Sequence, residues 1–367
     1  MEFFNAYKLI MAAVCAEDLF GEINTEREEA PMERVDEVYE DLAVVRPDRN
    51  QDNPDILVMA HEAFARLNQF YSSAETKIAS GSYGSRREYG QLSAGQGSTV
   101  IQAGSRSYVV RDFLAEGDLA DLYSGVCVEA DEFAQQVVIK IIADAEDNLF
   151  GQTEIRVLEA FAREPGNQNK HLPYFLDQFR TKDNKVGLVL RHLVGHNLPR
   201  VRETYPDGIP PIHAVWMFSR LLSAVGYAHY RGIIHGNIDP SHVMISPSDH
   251  NVFLIDWSYA AIRPKVTGEG FKVFNPNFSA PEVQDKLPPI PASDMYSVGK
   301  VMVYMLGGNV ETGEMPASVD ERLQRFVQNF LLASSVGRAQ DAWDMFRYLQ
   351  ILREQIFGEI KFLEFRV

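Results

Sequence analysis

Two apolar runs in this chain end in charge, and a third stretch between them is rich in polar and imidazole side chains. Lys140 lies near the end of "QQVVIKIIA", and Glu154 follows in "TEIRVLEAF". A lysine ending a buried strand must find a counter-charge or lose its proton, and a glutamate on the next helix is the natural partner. On this ground alone the two form a structural ion pair or part of a ligand site. Asp256 ends a second apolar run in "LIDWS", after Leu254 and Ile255. The stretch "HGNIDPSHVMI", 235–245, contributes His235, Asn237, Asp239 and His242. His235, His242, Asp239 and Asp256 could together ligate zinc or manganese, since imidazole suits transition ions better than hard ones. Asp239 stands before Pro240, where an aspartate commonly caps a turn. Asn237 carries an amide and cannot accept a proton as a carboxylate does.

The elements that must position these residues change character along the chain. Strand-like patterns fill "YVVRDFLAEGDLADLYSGVCVEA" and "QQVVIKIIA". A helix is predicted over 148–163, then a strand pair at 174–178 and 186–190. From there the pattern turns helical, most clearly over 212–230, where Trp216, Leu221, Leu222, Val225 and Ala228 share a stripe and Gly232 supplies a left-handed cap. The strand-rich part therefore precedes a helix-rich one. Upstream, residues 79–107 are dominated by Gly, Ser and small polar types and read as a flexible linker. Before it, helices are predicted over 3–20, 32–45 and 56–77. In the second, Val35, Val38, Tyr39 and Leu42 lie at helical spacing, and in the third Ala60, Ala63, Phe64, Leu67 and Tyr71 do.

With 46% hydrophobic residues over 367 positions the chain can bury a sizeable core, and its length allows two or three compact units. The formal charge of −16 would repel a phosphate backbone, so nucleic acid is excluded as an expected partner. Acid is concentrated early: residues 1–62 hold 16 Asp or Glu against 5 Lys or Arg. Cys15 and Cys127 fall in different predicted domains and give neither a disulfide framework nor a metal cluster. "LIMAAVCA", 9–16, is flanked by Glu2, Lys8, Glu17 and Asp18, the wrong flanks for a secretory signal, and reads as a buried helix. No run approaches the length of a membrane span. The expectation is a cytoplasmic protein that makes no membrane contact.

Taken in order, "VVIK", "TEIRVLEAF", "HGNIDPSHVMI", "LIDWS", "SAPE" and "SDMYSVGK" resemble the protein-kinase fold over about 108–357. The resemblance implies an α+β, bilobal kinase-like fold, with a β-rich small lobe at about 108–193 and an α-rich large lobe at about 194–367. It implies that Lys140 holds nucleotide phosphates, that Glu154 pairs with it, and that Asp256 binds the metal ion. It places Gly117 in the phosphate loop, Leu190 at the back of the adenine pocket, and a hinge at 191–193 that includes Leu193. Asp294 would brace the catalytic loop, and Glu282 would pair with Arg338. ATP with Mg2+ or Mn2+ is the implied cofactor set.

The chain departs from that family where chemistry is done. Asn237 stands in the general base's place, a change that removes an effect typically worth about 10²- to 10⁴-fold. His242 replaces the metal-binding asparagine, and magnesium prefers hard oxygen ligands in strict octahedral geometry. Asp239 replaces a lysine and could serve as a displaced base. Around Gly117 the loop reads Ala115, Glu116, Gly117, Asp118, Leu119 and Ala120, which fits an acidic hairpin tip better than a phosphate cradle. Trp257 and Ser258 stand where phenylalanine and glycine are usual, and serine lacks glycine's freedom at positive φ.

The first segment, 1–78, resembles a J-domain, a small all-α co-chaperone module, through "YEDLAVVRPDRNQDNPDILVMAHEAFARLNQFYSSA". That family uses a His-Pro-Asp loop and docks a heat-shock chaperone through a basic helix face. Here the loop is Arg46, Pro47 and Asp48, and the second helix carries Glu33, Asp36, Glu37, Glu40 and Asp41. Two modules thus keep their scaffolds and lack a reactive residue. The expected protein is a pseudokinase: a binding or assembly protein that retains an ATP site and recognises a basic protein partner. The alternatives are a divergent active Ser/Thr protein kinase or other phosphotransferase, and a co-chaperone adaptor that engages a heat-shock chaperone.

Overall fold

The computed structural model describes every residue except 1, 13–15, 22–30, 51–53, 80–98, 105, 129–133, 163–169, 249, 286 and 360–362. Two compact units emerge. One comprises Met1–Val100, Arg106–Val109 and Val126–Gln135; the other comprises Ile101–Ser105, Val110–Gly125 and Gln136–Val367.

In the first unit the helices are α1 (Phe3–Ala12), α2 (Ala16–Phe20), α3 (Pro31–Leu42) and α4 (Pro54–Ala79). Their apolar stripes meet in one core, where Ile10, Phe20, Val35, Leu42, Ala63 and Leu67 are buried together. Helical periodicity anticipates this burial, because one stripe per helix must find a partner. After α3 a 3-10 turn, Ala43–Val45, leads to a second at Pro47–Arg49. Asn50 donates its amide to the Val44 and Arg46 carbonyls, and Arg46 pairs with Asp48 at 3.1 Å. Glu33, Asp36, Glu37, Glu40 and Asp41 are all exposed on α3.

The second unit has the bilobal α+β architecture that the kinase resemblance implies. The strand-rich part of the chain begins earlier than the sequence suggested. β1 (Val100–Ala103) and the start of β2 (Arg106–Glu116) occupy the end of the stretch read as a linker, and 80–98 lies outside the described residues. β-branched Val100 and Ile101 are enough to start a strand where neighbours complete the ladder. Then come β3 (Ala120–Val128), β4 (Ala134–Ile142), α5 (Asn148–Ala162), β5 (Phe175–Arg180) and β6 (Val186–Arg191), in a sheet ordered β1-β2-β3-β4-β6-β5. β4 pairs antiparallel with β6 and sets Lys140 opposite Leu188.

The helix-rich part follows β7 (His196–Asn197), with α6 (Leu198–Thr204) and α7 (Pro211–Tyr230). Gly232, at φ +74, takes the left-handed conformation after α7 that its sequence position suggested. β8 (Ile233–Ile234), β9 (Val243–Ser246), β10 (Asn251–Leu254) and β11 (Ala261–Ile262) form two small sheets, ordered β10-β9-β7 and β11-β8. Next are α8 (Pro264–Thr267), α9 (Pro281–Gln284), α10 (Pro291–Met305), α11 (Glu321–Gln328) and α12 (Ala342–Phe357). α10 is buried nearly all round, as expected of a helix with little polar face. Phe218 of α7 packs edge-on against Phe326 and Phe330 at the centre of the large core. Among the described residues no helix is long and apolar enough to cross a membrane.

Candidate functional site

Three segments deliver charge to one place. β4 carries Lys140 inward, α5 presents Glu154 on its buried face, and the segment after β10 supplies Asp256 and Ser258. Lys140 Nζ donates to Glu154 Oε2 at 2.7 Å, to Asp256 Oδ1 at 2.8 Å and to Ser258 Oγ at 3.0 Å. Burial works against the ammonium, but the charges of Asp256 and Glu154 outweigh it and hold the lysine above its ordinary pKa. Burial would likewise raise Asp256, yet Lys140, followed by His242, keeps it well below the carboxylate range. Lys140 and Asp256 therefore both stay charged through the neutral range.

Asp256 sits at φ 59, in the left-handed region that Asp tolerates better than most side chains. Ser258 is not among the residues at positive φ, so glycine's freedom is not required at that position. The serine contributes chemically: its hydroxyl donates to Glu154 Oε2 at 3.0 Å while accepting from the lysine. Between them Trp257 is fully buried, its backbone N–H on Glu154 Oε1 at 3.2 Å and its indole N–H on the Leu254 carbonyl at 3.0 Å.

The loop after β8 is braced from within. Asp294, at the start of α10, accepts from the His235 and Gly236 backbone N–H groups at 2.8 and 2.9 Å and lies 2.9 Å from His229 Nε2. Burial opposes its charge, but these partners prevail, His229 foremost, and hold it below its ordinary pKa. Gly236 makes this turn at φ +74, where a Cβ would meet the Tyr259 carbonyl at 3.3 Å. His235 receives the Asn237 N–H on Nδ1 at 3.2 Å, so Nε2 carries the proton and donates to the Ile255 carbonyl at 3.0 Å. Burial holds this imidazole below its usual pKa, hence neutral. With both ring nitrogens engaged, His235 is not a metal ligand. The four-residue zinc or manganese cluster is therefore corrected: among the described residues no three His, Cys, Asp or Glu side chains form a metal-holding group.

His242 donates Nδ1–H to the Asn237 carbonyl at 2.8 Å, which turns Nε2 toward Asp256 Oδ2, 3.6 Å away. Asp239 accepts the Ser241 N–H at 2.8 Å and the His242 N–H at 3.3 Å on one oxygen, the capping geometry of an aspartate before proline. It borders a pocket of about 270 Å³ that Ser241, Asn275, Phe278 and Tyr304 also line. Gly117 is exposed at the β2–β3 turn, and its N–H is spent on the Ala120 carbonyl at 3.0 Å. Leu190 and Leu193 are half-buried. Lys140, Glu154, Asp256 and His242 thus converge, whereas Gly117 and Asp239 are each engaged in a turn of their own.

Sequence reasoning missed the Ser258 hydroxyl and His229. The only signal for the first was a serine in place of an expected glycine. His229 gave none, because its partner Asp294 is 65 residues away.

Comparison with known proteins agrees with the fold that carries these residues. The protein kinase domain family matches residues 108–332, more than half of the chain. Serine/threonine-protein kinase fray1 of Dictyostelium discoideum is 25% identical over 218 residues, which are 58% of this chain and 37% of that protein. Casein kinase II subunit alpha' of Saccharomyces cerevisiae is 24% identical over 206 residues, 56% of this chain and 57% of that one. Serine/threonine-protein kinase D of Synechocystis is 29% identical over 185 residues, 46% and 35% of the two chains. The chain therefore spans between about a third and somewhat over half of the length of these relatives.

Proposed function

The chain belongs to the protein kinase family, and from that premise we propose that it is a pseudokinase, a binding or assembly protein that keeps a nucleotide pocket and has lost ordinary phosphotransfer. One observation carries the reading. The groups that would hold phosphate and metal, Lys140, Glu154 and Asp256, are in mutual contact, while the position of the proton acceptor is the amide of Asn237. An amide takes no proton from a hydroxyl nucleophile, which removes about 10²- to 10⁴-fold of rate.

The metal position points the same way. Asp256 and His242 are the residues that would hold a metal ion, and a carboxylate beside an imidazole suits a transition ion better than Mg2+. Such an ion would neutralise phosphate charge. Half-buried Leu190 and Leu193 offer apolar walls for a base. The first unit serves as a J-like docking module in this reading: exposed carboxylates along α3 suit a basic partner, and Arg46 in the turn before α4 replaces the imidazole a co-chaperone would use. A divergent active Ser/Thr kinase is the second reading, and the intact Lys140–Glu154–Asp256 contacts favour it.

Phosphotransfer decides between them. The 367-residue chain incubated with γ-labelled ATP, Mg2+ or Mn2+ and a mixed Ser/Thr peptide pool should transfer no label above the Lys140→Met background. Steady label transfer that Lys140→Met abolishes would establish the active kinase instead.

A further inference from the structure

An ammonium has three N–H donors, and all three of Lys140's are taken, by Glu154, Asp256 and Ser258. A phosphate oxygen arriving at Lys140 must displace one of these acceptors. Glu154 is held from two further sides, by the Trp257 N–H and by the Ser258 hydroxyl, and is buried. Asp256 is the partner within reach of solvent, its side chain 29% exposed, and it can turn to an incoming cation. Ser258 has nowhere to go. It is fully buried, its proton is committed to Glu154 Oε2, and its backbone N–H lies on Asp256 Oδ1 at 3.3 Å. Once Asp256 yields, one N–H of the lysine becomes free, and the serine keeps the other.

We propose that Ser258 is a specificity-determining residue that limits Lys140 to a single phosphate contact, so that the site binds nucleosides in preference to nucleoside triphosphates. The proposal rests on the reading of the Lys140 site as a retained nucleotide pocket. The surroundings act in the same direction. Tyr259, next in the chain, has its phenol pKa raised by burial and then by the negative charges of Asp118, Asp256 and Asp147, a field that opposes a polyphosphate. Lys140 opposes that field but comes last among the contributions, and its charge is shared between two carboxylates.

The test is calorimetric titration of the 367-residue chain with adenosine and with ATP in the presence of Mn2+, for the wild type, Ser258→Ala and Ser258→Gly. In the wild type adenosine should bind at least as tightly as ATP. Loss of the hydroxyl should raise ATP affinity about tenfold and leave adenosine affinity unchanged, the scale of one hydrogen bond to a charged group. Unchanged adenosine binding also reports that the variants fold. An ATP-to-adenosine ratio that stays within about twofold in both variants would overturn the proposal, and so would absence of binding by either ligand to any of the three proteins. Phosphotransfer by the wild type would defeat the pseudokinase reading and leave this ratio as an independent test of Ser258.

Discussion

At the scale of single residues the site is an ion cluster whose members cannot be removed one at a time without cost. Lys140 is 6% exposed and Glu154 1%. We predict that Lys140→Met destabilises the protein by about 3–5 kcal/mol, because it leaves two carboxylates without their counter-charge. Urea unfolding would measure this, and Lys140→Met combined with Glu154→Gln should recover part of the loss. The Lys140–Glu154 pair was legible in sequence because a charged residue at the end of an apolar strand demands a partner on the next element. Ser258 was legible only as an unusual residue. Its role depends on a contact across 118 positions that no local pattern encodes. The capping role of Asp239 was readable from the proline that follows it, whereas the ring engagements that exclude His235 from metal binding required coordinates.

At the scale of elements, the large lobe is pinned by polar contacts between segments. Arg338 spends all five of its donors: two on Glu282 at 2.7 and 3.0 Å, and one each on the Ala292, Leu332 and Ala333 carbonyls. It joins α9, the start of α10 and the turn before α12. Arg338→Met should cost about 3–5 kcal/mol, since Glu282 would remain buried and unpaired; a fall in urea midpoint without loss of slope would confirm it. The chain end is held as well. Phe365 is 3% exposed, its ring stacked on Tyr205 at 5.2 Å, and Tyr205 donates its hydroxyl to the Arg366 carbonyl. Phe365→Ala should cost about 3 kcal/mol, within the range for a buried aromatic. Strands and helices with strong periodicity, such as β6 and α7, were legible close to their observed bounds. β1 and the first residues of β2 were not, because β1 sits in a Gly- and Ser-rich context and gains its ladder only from neighbours.

For the whole molecule, stability should depend on pH through a histidine remote from the site. His171 is buried against Asn251, 2.6 Å from its amide oxygen, and burial, with Arg220 nearby, lowers its pKa from 6.5 to about 4. A histidine depressed in the folded state stabilises the fold fully above 6.5, and that contribution is lost as pH falls toward 4. At pH 5 the loss should reach about 2 kcal/mol relative to pH 7.5, and His171→Asn should flatten the dependence over that interval. The kinase-like order of elements was legible in sequence, because the segments that carry Lys140, Asp256, Glu282 and Asp294 follow one another in the order the resemblance requires. What the chain does was less so, since the proposed reading turns on one amide, Asn237, and one imidazole, His242. The measurement that bears most directly on this account is single-turnover phosphotransfer by the wild type beside the double variant Asn237→Asp/His242→Asn. The account predicts wild-type transfer at background and transfer at least about 10²-fold above that background in the variant, where a proton acceptor and a hard metal ligand are introduced. A wild-type rate equal to or above that of the variant would contradict it.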